Sequence, residues 1–397
     1  MQGFYIYNNV RIYANTDQEE HGSHKLRFGG SVMAKVRHLF PGANSCYGFY
    51  SLYEHMVPPQ VKSKVILKGG PGTGKSTIMK KIGADLSARQ IDTEYHWCSS
   101  DHNSLDGVVG SQGQICVLDG TAPHVVEPRF PGAVDRIINL GQYWDTAMLK
   151  EQRENIEKLT DSISLCFKRA YIRLAESQLA LSEWRSYIQE ACDNRAVNRN
   201  ILALAEEFLS NRTSGTAAPR HLFAGAISPG GIVSKADSLL ESDFAVLGVK
   251  GSPGSGGKEL LQYVASRIEL TGIYAEIFHC PFDPVKIDMI LLPENKTALV
   301  DFSSLVIDYE TAWPTRKFKR FLDFDQLLDQ SGLDSKAKAI FECRERFAAG
   351  LRAAIAQIKT AKDYHDELES YYIPAMDFER IEEVRQELFA ELLTELQ

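Results

Sequence analysis

The stretch Val65-Ile66-Leu67-Lys68-Gly69-Gly70-Pro71-Gly72-Thr73-Gly74-Lys75-Ser76-Thr77 decides how this chain is read. Gly69 to Ser76 fits G-x-x-x-x-G-K-[ST] at every fixed position. A short apolar run precedes it and the helix-forming Ile78-Met79-Lys80-Lys81-Ile82 follows. That is the strand, loop and helix setting in which the motif cradles phosphate. Glycines let the backbone curl around an anion with successive N–H groups pointing inward, and the following helix turns its positive end to the same point. The spacing assigns Lys75 to the β- and γ-phosphates and the Ser76 hydroxyl to a Mg²⁺ ion. Gly69, Gly70, Pro71, Gly72, Thr73, Gly74 and Thr77 complete the expected nucleotide site.

Downstream, Glu94 to Cys98 reads as a second strand and Ser99 to Asp106 as a polar loop. Ile115-Cys116-Val117-Leu118-Asp119 is an apolar strand ending in an acid, the arrangement needed to hold the water shell of Mg²⁺ beside Ser76. Lys75 and Asp119 are therefore the expected catalytic pair, with Ser76 and Asp119 on the metal side. His124 follows in Asp119-Gly120-Thr121-Ala122-Pro123-His124, as a γ-phosphate sensor or a turn histidine. Asp101 and Asp106 fall on the same rim, as substrate ligands or solvated loop acids. Arg37 and Arg220 fit either arginine fingers or salt-bridged structural residues. His38 and His221 read as half-buried structural residues, and the Trp184 stripe as core.

The net charge of −8 argues against a nucleic-acid surface as the main business of the chain. The seven cysteines form no C-x-x-C pair, which fits reduced cytosolic thiols better than a zinc site or disulfide framework. The beginning, MQGFYIYNNVRIY, has neither a basic n-region nor a long apolar run, so neither a signal peptide nor a membrane span is expected.

From about Asp145 the composition shifts to long amphipathic helices. Leu159, Cys166, Leu174, Leu181, Trp184 and Ile188 make one stripe, and Val197, Ile201, Leu204 and Phe208 a second, read together as a helical hairpin. The chain then repeats its landmarks. Arg220-His221-Leu222-Phe223 echoes Arg37-His38-Leu39-Phe40, Glu276 to Cys280 echoes Glu94 to Cys98, and Leu299-Val300-Asp301 echoes Val117-Leu118-Asp119. Lys250-Gly251-Ser252-Pro253-Gly254-Ser255-Gly256-Gly257-Lys258 echoes the first loop. With the two lysines matched (258 − 75 = 183), Gly257 becomes an extra residue and Glu259 stands at the Ser76 position. The expected organisation is an N-terminal β element (1–35), a P-loop domain (36–145), a helical hairpin (146–216), a degenerate P-loop domain (217–330) and a second hairpin (331–397). Its fold class is α/β, two tandem P-loop NTPase-like domains with parallel sheets.

The blocks RHLFPGAN, KGGPGTGKST, CSSDHNSLDGVV and VLDGTAPH, with the second copy RHLFAGAISPGG, resemble a bacterial family of tandemly duplicated P-loop ATPases. The likeness runs from about Val36 to the end. It implies ATP binding with Mg²⁺, hydrolysis and a cytoplasmic location, but supplies no substrate or partner. The second loop departs from the pattern, which implies an impaired second site. No N-K-x-D element follows Asp119, since Asn295-Lys296-Thr297-Ala298 lacks the acid, so ATP is expected over GTP. Three functions stay open: an ATPase with one active site, a small-molecule or nucleotide kinase, and a nucleotide-gated scaffold. An internal pseudo-dimer is compatible with each.

Overall fold

The computed structural model describes residues 34–58, 60–122, 125–210 and 214–396. The expected N-terminal β element, apart from its last two residues, and His124 lie outside them. The first half contains β1 (Val36–Leu39), β2 (Gly42–Ser45), β3 (Gly48–Ser51), β4 (Ser63–Lys68), α1 (Lys75–Ala88), β5 (Thr93–Trp97), β6 (Leu105–Gly110), β7 (Ile115–Asp119), β8 (Asp135–Asn139), α2 (Thr146–Glu151), α3 (Arg153–Glu190) and α4 (Asn194–Leu209). The second follows the same order with one added short helix. It contains β9 (Arg220–Phe223), β10 (Gly225–Ser228), β11 (Gly231–Ser234), β12 (Ala245–Lys250), α5 (Gly257–Thr271), β13 (Glu276–His279), β14 (Ile287–Leu292), β15 (Thr297–Asp301), α6 (Tyr309–Ala312), β16 (Phe318–Asp323), α7 (Gln330–Asp334), α8 (Ala337–Tyr372) and α9 (Phe378–Thr394).

Each half builds a six-stranded sheet, ordered β1-β5-β6-β7-β4-β8 and β9-β13-β14-β15-β12-β16. The sheets are mixed, which corrects the expectation of parallel ones. β6 runs antiparallel to β5 and β7, and β14 antiparallel to β13 and β15. The reason is connection length. The short loop from Trp97 to Leu105 cannot carry a parallel crossover, so the chain must turn back. The remaining pairs are parallel, which brings the ends of β4 and β7 together, with Leu67 opposite Asp119.

The helices do not form a self-contained hairpin in each half, as the stripes predicted. α3 lies antiparallel along α8, with ion pairs Glu190–Lys336 and Glu183–Arg346 marking the register. The helices approach closely where Ser177 Oγ donates to Phe347 O at 3.2 Å; a Cβ on Gly350 would collide with that hydroxyl. α4 packs instead on α5, and α9 on α1. Val197, Ile201, Leu204 and Phe208 join a core with Leu247, Leu260 and Val264, while Ile381, Val384, Leu388 and Leu392 join one with Leu67, Ile78 and Ile82. Each half thus completes the other's helical layer. The junctions match: Asp145 N donates to Ala375 O at 2.7 Å, and Asp329 N to Ala191 O at 2.8 Å. An apolar stripe declares that a helix has a partner, not which helix that is.

The edge strands also meet. Phe40 and Phe223 exchange N–H···O bonds of 3.0 Å in both directions. Beside them Arg37 is paired with Glu276 at 2.5 Å and Glu94 at 3.0 Å, and Arg220 with Glu94 at 2.7 Å and Glu276 at 3.6 Å. Burial works against these ions, yet their mutual attraction holds both glutamates below the usual carboxylate range. All seven cysteines are free thiols. No helix among the described residues is long and apolar enough to cross a membrane.

Candidate functional site

The first loop runs from the end of β4 into α1. Gly72 and Gly74 have φ of 66° and 85°, a left-handed conformation that a side chain would strain, and Gly74 caps the helix that begins at Lys75. Lys75 Nζ donates to Gly69 O and Gly70 O, each at 2.8 Å, and lies 3.7 Å from Asp119 Oδ2. Asp119 Oδ1 accepts from Thr121 N at 2.8 Å, and Thr121 Oγ1 donates to Gly69 O at 3.0 Å. Ser76 Oγ accepts from Leu105 N at 3.0 Å, which leaves its own proton to donate. Thr73 is buried and donates to Gly70 O at 2.9 Å. Pro71 is half-buried on the loop, whereas Thr77 is exposed on the first turn of α1. Loop, lysine and acid therefore converge, with Ser76 next to Lys75 on the first turn of α1, and oxygen donors such as Ser76 and Asp119 suit a hard cation.

Residues of the other half cover this loop, and nothing near the motif announces them. Glu369 Oε1 of α8 accepts from Gly72 N at 3.2 Å. A Cβ on Gly70 would lie 3.1 Å from Tyr372 and 3.3 Å from Trp144, two rings whose centroids are 5.8 Å apart. Glu369 and Tyr372 lie some three hundred residues along the chain from the loop they touch, and only the exchange of helices brings them there.

Other expected site residues fall elsewhere. Arg37 and Arg220 are locked in the ion-paired quartet between the sheets, so neither is a finger. Asp106 is buried within β6 and accepts from the Tyr53 hydroxyl; it is not a rim acid. Burial, then the Asp106 charge, pushes the Tyr53 hydroxyl well up. Asp101 is engaged by Ser104 Oγ at 2.8 Å and by Lys362 of α8 at 3.5 Å. His38 is half-buried and accepts from Trp97 Nε1 at 3.1 Å. His221 Nδ1 lies 2.8 Å from His279 Nε2. Trp184 is buried in the core beneath the Arg344 guanidinium.

The second loop has a different register from the one its lysine indicates. α5 begins at Gly257 as α1 begins at Lys75, and Leu260 N donates to Gly256 O at 3.0 Å as Ile78 N donates to Gly74 O at 2.9 Å. Gly257 is therefore no insertion. It takes the place of Lys75, Lys258 that of Ser76, and Glu259 that of Thr77. A Cβ on Gly257 would point at Asp301 Oδ2 from 3.5 Å, matching the approach of Lys75 to Asp119. The charge is supplied from another direction. Lys286 is half-buried, 2.8 Å from Asp301, and also paired with Asp288. Burial alone would lower its ammonium; the two carboxylates outweigh that and raise it. Lys258 and Arg185 of α3 both face Asp283, at 3.8 and 3.1 Å. The cavity left here is about 40 Å³, room for a water or two.

Compared with protein-family models, curated proteins and solved structures, the chain finds no match.

Proposed function

We propose that the chain is a Mg²⁺-dependent ATP-binding protein that hydrolyses ATP at the loop Gly69–Thr77, and that the second loop holds no nucleotide. The observation carrying this reading is the convergence of Lys75 and Asp119 on a glycine loop at a helix N-terminus, with Ser76 next to the lysine. Lys75 would turn from the carbonyls of Gly69 and Gly70 to phosphate oxygens. Ser76 and Asp119 would hold the ion, which supplies neutralisation of phosphate charge. At the second loop the corresponding lysine is a glycine, and the corresponding acid already has a resident ammonium. The shared strand order and strand sense of the halves support descent from one duplicated P-loop NTPase-type unit. At about 100-fold over Kd, Mg²⁺-ATP should stabilise the fold by ~2.7 kcal/mol. The test is a thermal shift with Mg²⁺-ATP in the wild type and in Lys75→Ala, followed by phosphate release in the absence and presence of acceptors. An equal shift in both proteins would overturn the assignment, and phosphorylation of an acceptor without phosphate release would make the chain a kinase.

A further inference from the structure

We propose that Glu369 is a resident competitor for the anion of the first loop: a carboxylate delivered by α8 that a nucleotide's phosphates must displace. The inference rests on reading this loop as a nucleotide site and adds how its occupancy is controlled.

A loop of inward-turned N–H groups is selective for negative charge, not for phosphate as such. Glu369 Oε1 accepts from Gly72 N at 3.2 Å, within the glycine run itself. The contact is built in by packing. Ile373, one helical turn on, would lie 3.0 Å from a Cβ on Gly72, and Glu369 O 3.4 Å, so the end of α8 rests directly on the loop. The lysine's posture agrees. Lys75 is turned onto Gly69 O and Gly70 O, with Asp119 beyond. His365, one turn before Glu369, lies 3.8 Å from the same Oε1. Two anions cannot both take the Gly72 N–H at full strength, and a carboxylate held beside a triphosphate repels it. Binding must therefore move the Glu369 side chain, and the end of α8 with it or away from it.

The second half sets the contrast. At the matching junction, α3 presents Arg185, whose carbonyl would lie 2.9 Å from a Cβ on Gly254, and its guanidinium pairs with Asp283. A helix end from the opposite half sits on both loops; among the described residues that helix brings an acid to the first loop, whereas the second loop's Ser252 N–H is held by Asp325 of its own half at 2.7 Å. What sets the first loop apart is that its carboxylate comes from the opposite half and faces a loop that keeps its lysine.

The experiment is calorimetric titration of the full chain with Mg²⁺-ATP and, separately, with pyrophosphate. The proteins are wild type, Glu369→Gln, Glu369→Ala and the double variant Lys75→Ala/Glu369→Gln. Gln is isosteric and can still accept from Gly72, so it removes the charge and keeps the packing; thermal melting confirms that each variant is folded. Both single variants are expected to bind Mg²⁺-ATP about tenfold more tightly than wild type, and pyrophosphate likewise, with binding lost in the double variant. Unchanged or weaker binding in both single variants, with wild-type binding intact, overturns the competitor role and leaves the nucleotide site standing. Tighter binding that survives loss of Lys75 places the anion elsewhere and overturns it too. Absence of binding in all four proteins overturns the nucleotide reading and this inference together.

Discussion

Lys286 Nζ sits 2.8 Å from the Asp301 carboxylate, at the strand end that corresponds to Asp119 in the first half. The two sites differ here in kind. One acid faces a loop lysine across 3.7 Å, while the other is neutralised by a half-buried lysine from the β13–β14 connection.

That pairing makes a stability prediction. Lys286→Met would leave Asp288 and Asp301 buried without their shared cation, and breaking a buried pair on one side costs about 3–5 kcal/mol. Urea unfolding should show a loss in that range, and Lys286→Met/Asp301→Asn should recover part of it, since the like charges are then reduced to one. A single variant as stable as wild type would mean that Lys286 is not the counter-charge of the second site.

The loop registers predict unequal effects on turnover. On the proposed function, Lys75→Ala removes the lysine assigned to the phosphates and should abolish ATP hydrolysis. Lys258 occupies the serine position of a loop whose acid is already paired, so Lys258→Ala should leave hydrolysis close to wild type. Steady-state phosphate release from both folded variants decides this. Comparable losses would make the second loop a working site. Any impairment at this loop would follow from Gly257 standing at the lysine position. Glu259 lies at the Thr77 position, not the Ser76 position, so its charge is not the reason.

How much of this was legible in the sequence depends on whether a signal is local. The first loop, its flanking strand and helix, and the apolar strand ending at Asp119 each declare themselves within a dozen residues, because turn chemistry and periodicity are short-range. β6 does not. Leu105-Asp106-Gly107-Val108-Val109-Gly110 carries an acid and two glycines, residues depleted in strands, and becomes a strand because β5 and β7 enclose it. The second loop misleads because matching Lys258 to Lys75 is a choice of residue type. Helix onset, which follows the backbone, puts Gly257 there instead. Glu369 over Gly72 and the Arg37–Glu276 pair depend on how distant segments meet, and no spacing encodes that.

The histidines predict a pH dependence. Burial first, and then neighbouring histidines, holds His221 down to about 4; burial does the same for His279 and His38. Each is neutral in the fold but takes up a proton near 6.5 once unfolded. The unfolded chain therefore binds more protons below pH 6.5. Stability should be full above that value and fall continuously toward pH 4, by about 1–2 kcal/mol per histidine after allowing for partial exposure. The glutamates of the quartet, held low by Arg37 and Arg220, add a further loss only below the unfolded carboxylate range. Chemical denaturation from pH 8 to pH 4 measures the slope. His221→Phe/His279→Leu should flatten it between 6.5 and 4, and an unaltered slope would move its origin to other groups.

The exchange of helices predicts where damage travels. Leu388 of α9 is 2% exposed and packs in the core that holds Ile78 and Ile82 of α1; Leu204 of α4 is fully buried beside Leu260 and Val264 of α5. Truncating either leucine to alanine removes buried methyl groups and leaves a cavity, a cost of about 2–5 kcal/mol. If each half kept its own helices, Leu388→Ala would loosen the second sheet domain. In this fold it must loosen the first, including the α1 helix that begins at Lys75. Native-state hydrogen exchange separates the two. Leu388→Ala should speed exchange in α1 and β4 while α5 stays protected, and Leu204→Ala should do the reverse. A ligand that binds at the first loop should restore protection in Leu388→Ala but not in Leu204→Ala, because binding free energy stabilises the unit that holds the ligand. The opposite pairing of mutation and exchange would return each pair of helices to its own half.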